Sequence, residues 1–165
     1  MAQLWVNLPR RHKMSPPRYQ GLLAEQMGLV TLPAGQVRVI AGEYQGVQGP
    51  AQTFSPIHVF DVRLEPGGSA EFSFPSNYNA ALLVMSGEVS INGSRAAAQG
   101  DFVLFDHAGE RITLQAGSAA QLLLLSGEPL AEPVVQYGPF VMNTPREIEQ
   151  AFADYGSGKF GHLDD

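Results

Sequence analysis

Ile57-His58-Val59-Phe60-Asp61-Val62-Arg63-Leu64, followed by Glu65-Pro66-Gly67-Gly68, sets the pattern for the rest of the chain. Successive side chains on an extended strand point to opposite faces. His58, Phe60, Val62 and Leu64 therefore share one face, and Ile57, Val59, Asp61 and Arg63 the other. Pro66-Gly67-Gly68 ends the run as a turn. Phe72 and Phe74 alternate before Pro75, and 80–85 reads as a buried strand closed by Ser86-Gly87. Val89-Ser90-Ile91 leads into Asn92-Gly93, a strong hairpin signal because both residues tolerate positive φ. Apolar runs at 102–105, 111–115 and 119–125 follow, separated by Gly100-Asp101, Ala108-Gly109 and Ala116-Gly117-Ser118. Short strands at this spacing predict an all-β sandwich or barrel.

The composition agrees. The chain has 165 residues, 44% hydrophobic and 16% charged, with 18 Gly and 12 Pro. That is enough apolar surface for one domain without staples, and many turns. Sixteen acids against ten bases leave a net charge of −6. An acidic surface repels phosphate, so direct nucleic-acid binding is not expected. The local basic stretch Arg10, Arg11, His12, Lys13 and Arg18 reads as a solvated surface. Cysteine is absent, which removes disulfides, thiolate metal sites and a cysteine nucleophile and suits a reducing cytoplasm. No signal-peptide pattern opens the chain, and no apolar run can span a bilayer.

On either side of the body the pattern changes. Leu4-Trp5-Val6 is strand-like, then Ser15-Pro16-Pro17 forces an extended path. Between 21 and 52, Val37-Arg38-Val39-Ile40-Ala41 predicts a strand inside otherwise irregular chain. Residues 128–140 read as extended and proline-punctuated. Thr144 as N-cap, Pro145 at the first helical position and Glu147 completing a capping box predict a helix start. Ile148, Ala151, Phe152 and Tyr155 form its apolar face, and Gly156 stops it. That face must lie on the barrel or on a partner.

The order strand, Pro-Gly turn, strand, Ser-Gly-Glu turn, strand, Asn-Gly, Gly-Asp, strand resembles the cupin jelly-roll barrel. Metal-binding cupins hold an ion with three His and one Glu, carried by two motifs anchored on glycines. With Gly67 and Gly87 anchoring the first, its ligand slots fall on Ser73, Pro75 and Ala80. With Gly100 anchoring the second, its Pro slot is Asp106 and its His slot is Arg111. None of these supplies the imidazole and carboxylate ligands that suit such ions, so a metal-free barrel core is expected. His58 lies on the apolar face of its strand and reads as a core or pocket histidine. His107, between Asp106 and Glu110, reads as a loop residue. His12 and His162 fall near the ends. No Ser/His/Asp set can be assigned from spacing, since triads are spatial. No phosphate loop is present, because the glycines precede strands rather than a helix.

Both ends resemble the second half of the pirins. At the start the resemblance rests on Gln3 to Pro9, Lys13-Met14 and Pro17 to Gln20. Towards the other end it rests on Gly127 to Leu130 and Glu132-Pro133-Val134-Val135-Gln136-Tyr137-Gly138-Pro139-Phe140-Val141-Met142-Asn143-Thr144. Glu147-Ile148, Gln150-Ala151, Asp154-Tyr155 and Lys159 to Gly161 continue it. Pirins are bicupins whose first barrel carries the metal and is linked to quercetin 2,3-dioxygenase activity. The resemblance implies a second barrel without that metal, so no catalytic or metal residue and no cofactor is assigned to this chain. It also implies an interdomain-type arm at 1–20, a cupin barrel at 21–143 and a helix with tail at 144–165. In a lone half, Leu4, Trp5, Val6, Phe140, Val141 and Met142 would lose cover. An exposed apolar patch of several hundred Å2 or so is uncommon on a monomer. These residues are the interface candidates, for a homodimer or for a metal-bearing first-cupin partner.

Three functions from different classes follow. One is a metal-free structural or binding module. Another is one wall of a quercetinase-like enzyme whose metal sits in a separate cupin. The last is a small-ligand barrel with a pocket lined by His58, Phe60 and Arg111, where an inward Arg111 would pair with a carboxylate.

Overall fold

The computed structural model describes residues 2–161; Met1 and 162–165, with His162 and the Asp164-Asp165 pair, lie outside them. The chain divides into two compact units. One joins residues 1–17 to 130–165, and the other runs from 18 to 129. Residues 130–143, grouped with the barrel from sequence, fall in the unit of the arm and the helix.

The 18–129 unit holds twelve strands. They are β1 (Gly28–Leu32), β2 (Gly35–Ala41), β3 (Glu43–Tyr44), β4 (Val47–Gln48), β5 (Ile57–Leu64), β6 (Ser69–Ser73), β7 (Asn79–Ser86), β8 (Glu88–Ile91), β9 (Arg95–Ala98), β10 (Phe102–Leu104), β11 (Arg111–Ala116) and β12 (Ala120–Gly127). Six form one sheet in the order β1-β2-β5-β12-β7-β10, and four form a second in the order β6-β11-β8-β9. This is the expected all-β, cupin-type architecture.

Alternation places the core. On β5, Phe60, Val62 and Leu64 are buried. On β12, Leu122 and Leu124 are buried with them, as are Leu82 and Val84 on β7. The second sheet contributes Phe72, Phe74, Ile112, Leu114, Val89 and Ile91. Each fully buried large side chain contributes roughly 1.5–3 kcal/mol, so two inner faces filled this way hold the sheets together. The Asn92-Gly93 turn forms as expected, both residues at positive φ. Its loop has three residues rather than two, because Ile91 pairs with Arg95. The Asn92 side chain also accepts from the Thr113 backbone N–H at 2.8 Å, tying the turn to β11.

The 21–52 stretch is more regular than its sequence suggests. β1 pairs with β2 through a Pro33-Ala34 turn, and β3 with β4 through Gln45-Gly46. Leu29-Val30-Thr31 is an edge segment flanked by glycine, which weakens its signal.

The other unit holds a 3-10 turn at Arg10–His12, a ribbon of β13 (Val135–Tyr137) and β14 (Phe140–Met142), and one helix, α1 (Pro145–Gly156). Leu4-Trp5-Val6 is not a strand. Thr144 caps α1, its hydroxyl accepting from the Glu147 N–H at 3.3 Å. The Glu147 carboxylate reaches back to the Asn143 N–H at 3.0 Å, one residue before the usual capping-box target. The buried helix face is Ile148, Ala151 and Asp154, rotated from the expected one. Phe152 and Tyr155 instead meet Phe140, with ring centroids 5.0 and 6.5 Å apart. The helix thus packs on the β13–β14 ribbon of its own unit.

Candidate functional site

The period of two that builds the core also decides what lines it. Ser73 is exposed while Phe72 and Phe74 on either side are buried. Arg111, its cross-strand partner, is exposed while Ile112 is buried. The inward positions on these two strands therefore carry Phe72, Phe74 and Ile112. The glycine count put the ligand slots on Ser73 and Arg111, which face outward. The adjoining inward residues are apolar, so the ligand set is missing in either register. Pro75, Ala80, Asp106 and Arg111 nevertheless border one cavity of about 280 Å3, walled by Phe74 and Tyr78. Three of the four ligand slots thus converge there without a donor set. Among the described residues no three His, Asp or Glu side chains come together as a metal would require. The residues present do not fit a three-His, one-Glu metal centre.

The expected His58, Phe60 and Arg111 pocket does not assemble. Phe60 is 1% exposed, inside the core. Arg111 has a side chain 70% exposed, with its Nε 3.7 Å from the Glu71 carboxylate. Alternation sends it outward, so it is a surface cation. His58 does point inward. Its ring lies 5.8 Å from Phe60, 5.2 Å from Phe74 and 6.1 Å from Tyr78 by centroid. Burial pushes its pKa below the ordinary 6.5, only partly opposed by the charge of Glu43. It is a neutral imidazole at pH 7. One side of it borders a separate cavity of about 350 Å3, with Gly42, Glu43 and Thr53.

Two residues that the sequence does not tie to His58, a glycine legible only as a turn and a serine, complete this corner. Gly42 has φ +77, and a Cβ there would overlap the His58 Cδ2 and lie 2.8 Å from the Ile57 carbonyl oxygen. Only glycine lets the imidazole ring sit where it does. Ser126 lies directly opposite His58 on β12, and opposite Ala80 on its other side. It is buried at 5% exposure, and among the described residues its hydroxyl finds no hydrogen-bond partner. Neither does the buried His58 Nδ1. Ser126 closes an apolar run and reads as a strand end, so nothing in the sequence pairs it with His58. His107 is the exposed loop residue expected, with Nε2 3.2 Å from the Asn79 side-chain oxygen.

In the arm-and-tail unit, the interface candidates split. Leu4, Trp5 and Val6 are exposed, Trp5 at 70%. Phe140, Val141 and Met142 are half-buried, because α1 and Phe160 cover part of Phe140. Trp5, Val6, Val134, Val141 and Met142 border a groove of about 610 Å3. The basic stretch is not wholly solvated. The Arg10 N–H donates to Glu132 at 2.7 Å, and its guanidinium lies 3.6 Å from Glu147. The Lys13 ammonium donates to Asn7 at 2.6 Å and to the Val141 carbonyl at 3.3 Å. Burial lowers the Lys13 pKa.

Residues 59–161 match the Pirin C-terminal cupin domain. The chain belongs to the pirin C-terminal cupin family. It is 46% identical over 162 residues to a Pseudomonas aeruginosa protein provisionally named a quercetin 2,3-dioxygenase, covering 97% of this chain and 56% of that protein. It is 37% identical over 162 residues to a pirin-like protein of Solanum lycopersicum, covering 96% and 56%. A crystal structure of quercetin 2,3-dioxygenase from Acinetobacter baumannii superposes with a TM-score of 0.92 at 37% identity, covering 97% of this chain and 56% of that one. The chain spans a little over half the length of these relatives. The pirin signature at 132–144 includes the residues of one network. Asn143 donates to the Pro133 carbonyl at 2.8 Å and to the Glu132 carboxylate at 3.2 Å. The same Glu132 carboxylate accepts from Arg10, so the motif joins arm to tail. No helix among the described residues is long and apolar enough to cross a membrane.

Proposed function

We propose that this pirin C-terminal cupin is a metal-free supporting and binding module with no redox chemistry of its own. The observation that carries this reading is the inward set Phe72, Phe74, Ala80 and Ile112, where a metal cupin needs imidazoles and a carboxylate. Oxygen chemistry on a flavonol needs a redox metal with an open position. These side chains offer it neither ligands nor charge.

A second reading has support in the relatives that carry the name quercetin 2,3-dioxygenase. In it, this module forms part of such an enzyme, the metal belonging to a separate first cupin. The exposed Leu4, Trp5 and Val6 suit a partner surface, supplied either by that cupin or by a second copy of the chain. A cytoplasmic setting fits the lack of cysteine.

Purified protein should be incubated with excess iron, nickel, copper or manganese salts, desalted, and analysed by mass spectrometry for bound metal. Sub-stoichiometric metal and no quercetin cleavage are expected. One tightly held ion per chain, or quercetin cleavage by this chain alone, overturns the module reading.

A further inference from the structure

We propose that the cavity of about 280 Å3 walled by Phe74, Tyr78 and Phe105, with Asp106 and Glu110 at its rim, binds a small quaternary ammonium compound. This names a ligand class for the binding-module reading and rests on it, since the same space must be free of metal.

The first support is the walls. Phe74 is buried and packs against the rings of His58 and Phe60, 5.2 and 6.1 Å away by centroid. Ile112, also buried, lines the same space. Tyr78 and Phe105 are half-buried and pack against the core. The Phe105 N–H donates to the Ala80 carbonyl at 3.1 Å, which fixes this wall, and Ala80 borders the cavity too. The face of an aromatic ring is negative and attracts a cation within about 6 Å. Arg18 uses Phe54 in this way, at 5.0 Å. Among the described residues no guanidinium or ammonium of the chain lies over Phe74, Tyr78 or Phe105.

The second support is the charge. The charged groups that border the cavity are Asp106, Glu110 and Arg111, all exposed. Arg111 is drawn away, its Nε 3.7 Å from Glu71, which does not line this space. Among the described residues no ion pair or side-chain hydrogen bond engages the carboxylates of Asp106 and Glu110. Glu110 is anchored at the cavity by its carbonyl, which accepts from the Phe74 N–H at 2.9 Å. Asp106 directly follows the pinned Phe105. Buried walls and an exposed acidic rim thus leave two carboxylates for a guest cation.

The lining narrows the guest further. Phe74, Ala80, Phe105 and Ile112 have no side-chain acceptor. The side-chain oxygen of Asn92, which also borders the cavity, is taken by the Thr113 N–H at 2.8 Å. A primary ammonium would lose hydrogen bonds to water on entering. A quaternary head has no N–H to lose and presents methyl groups to apolar walls. A carboxylate would meet two carboxylates, and so would the phosphate of a choline lipid headgroup. A free small cation is the guest, and pockets of roughly 300 Å3 lie at the small end for ligands.

The test uses the whole chain labelled with 15N at low salt. Choline is titrated, with 3,3-dimethylbutan-1-ol as its uncharged isostere, while the amides of residues 78–80 and 105–112 are followed. Choline should move them saturably with a Kd of about 1 mM, within the efficiency range of small ligands. The alcohol and phosphocholine should each bind at least about fivefold more weakly, equal to roughly 1 kcal/mol at 1.4 kcal/mol per decade. The double variant D106N/E110Q changes only exposed side chains and should fold. It should weaken choline about fivefold and leave the alcohol unchanged. The proposal is overturned if choline gives no saturable shift in these segments, or if the alcohol or phosphocholine binds as tightly as choline. It is equally overturned if D106N/E110Q binds choline as the parent does. Metal content measured on the same sample keeps the two readings apart. A bound ion defeats the metal-free module, whereas missing choline shifts in metal-free protein defeat only this site.

Discussion

Replacing Gly42 by alanine tests whether the seat of His58 is as tight as the geometry states. Two costs add. Gly42 has φ +77, and a left-handed residue with a Cβ costs about 1–2 kcal/mol. The new methyl would also overlap the His58 Cδ2 and sit 2.8 Å from the Ile57 carbonyl oxygen. The imidazole would have to move, but Phe60 and Phe74 pack against it. Overpacking of this kind costs typically 1–3 kcal/mol. The sum is about 2–5 kcal/mol, a large share of the ~5–15 kcal/mol that stabilises a domain. G46A separates the terms. Gly46 has φ +81 but nothing within 4 Å of its added Cβ, so only the backbone cost of about 1–2 kcal/mol applies there. Urea unfolding followed by circular dichroism and intrinsic fluorescence measures both. With m near 2 kcal/mol/M, G42A should lower the midpoint by about 1–2.5 M and G46A by about 0.5–1 M. The double variant G42A/H58A should lose less than the two single losses added, because removing the ring removes the overlap. Equal effects of G42A and G46A, or strict additivity with H58A, would refute the reasoning.

The pH dependence of stability carries a second expectation. His58 has a folded pKa below its unfolded value near 6.5. The unfolded chain therefore binds the proton first, and this contribution to stability is complete above about pH 7 and lost as pH falls from 6.5 through the folded value. Urea midpoints of H58F should lack that slope, and an unchanged slope would sink the assignment. Losses from Asp154 and Glu147 fall in a lower window. Hydrogen bonds from Lys159 and Gln150 hold the Asp154 pKa below 3.8. For Glu147, burial alone pushes upward, but bonds from Thr144 and Asn143 and the charge of Arg10 bring it below 4.5. T144A removes the N-cap of α1 and should cost about 1 kcal/mol. It should be read as faster amide exchange in the first turn of the helix, with barrel amides unchanged.

How much of this was legible beforehand follows from the range of the signals involved. The strand at 57–64 and its inward face follow from period-two alternation, a local property that each residue reports by its own polarity. The turn at Asn92-Gly93 and the cap at Thr144 were likewise legible, because positive φ and orphan N–H groups are local demands. The strand at 28–32 was missed, since a glycine and an exposed leucine blur its alternation. The buried helix face was read too far toward Phe152 and Tyr155. Those rings found the ribbon at Phe140, and a carboxylate, Asp154, was buried because Lys159 and Gln150 satisfy it.

The sequence by itself determined the all-β architecture, the pirin kinship of both ends and the lack of ligand-type residues at the metal slots. Only the tertiary structure decided that Glu71 stands beside Arg111, that Arg10 joins Glu132 and Glu147, and that Ser126 stands opposite His58. The reason is register. Periodicity says which face a side chain takes within its own strand. Which residue of another strand, 68 positions away, becomes its neighbour depends on hydrogen-bond pairing across the sheet, and no local pattern encodes that.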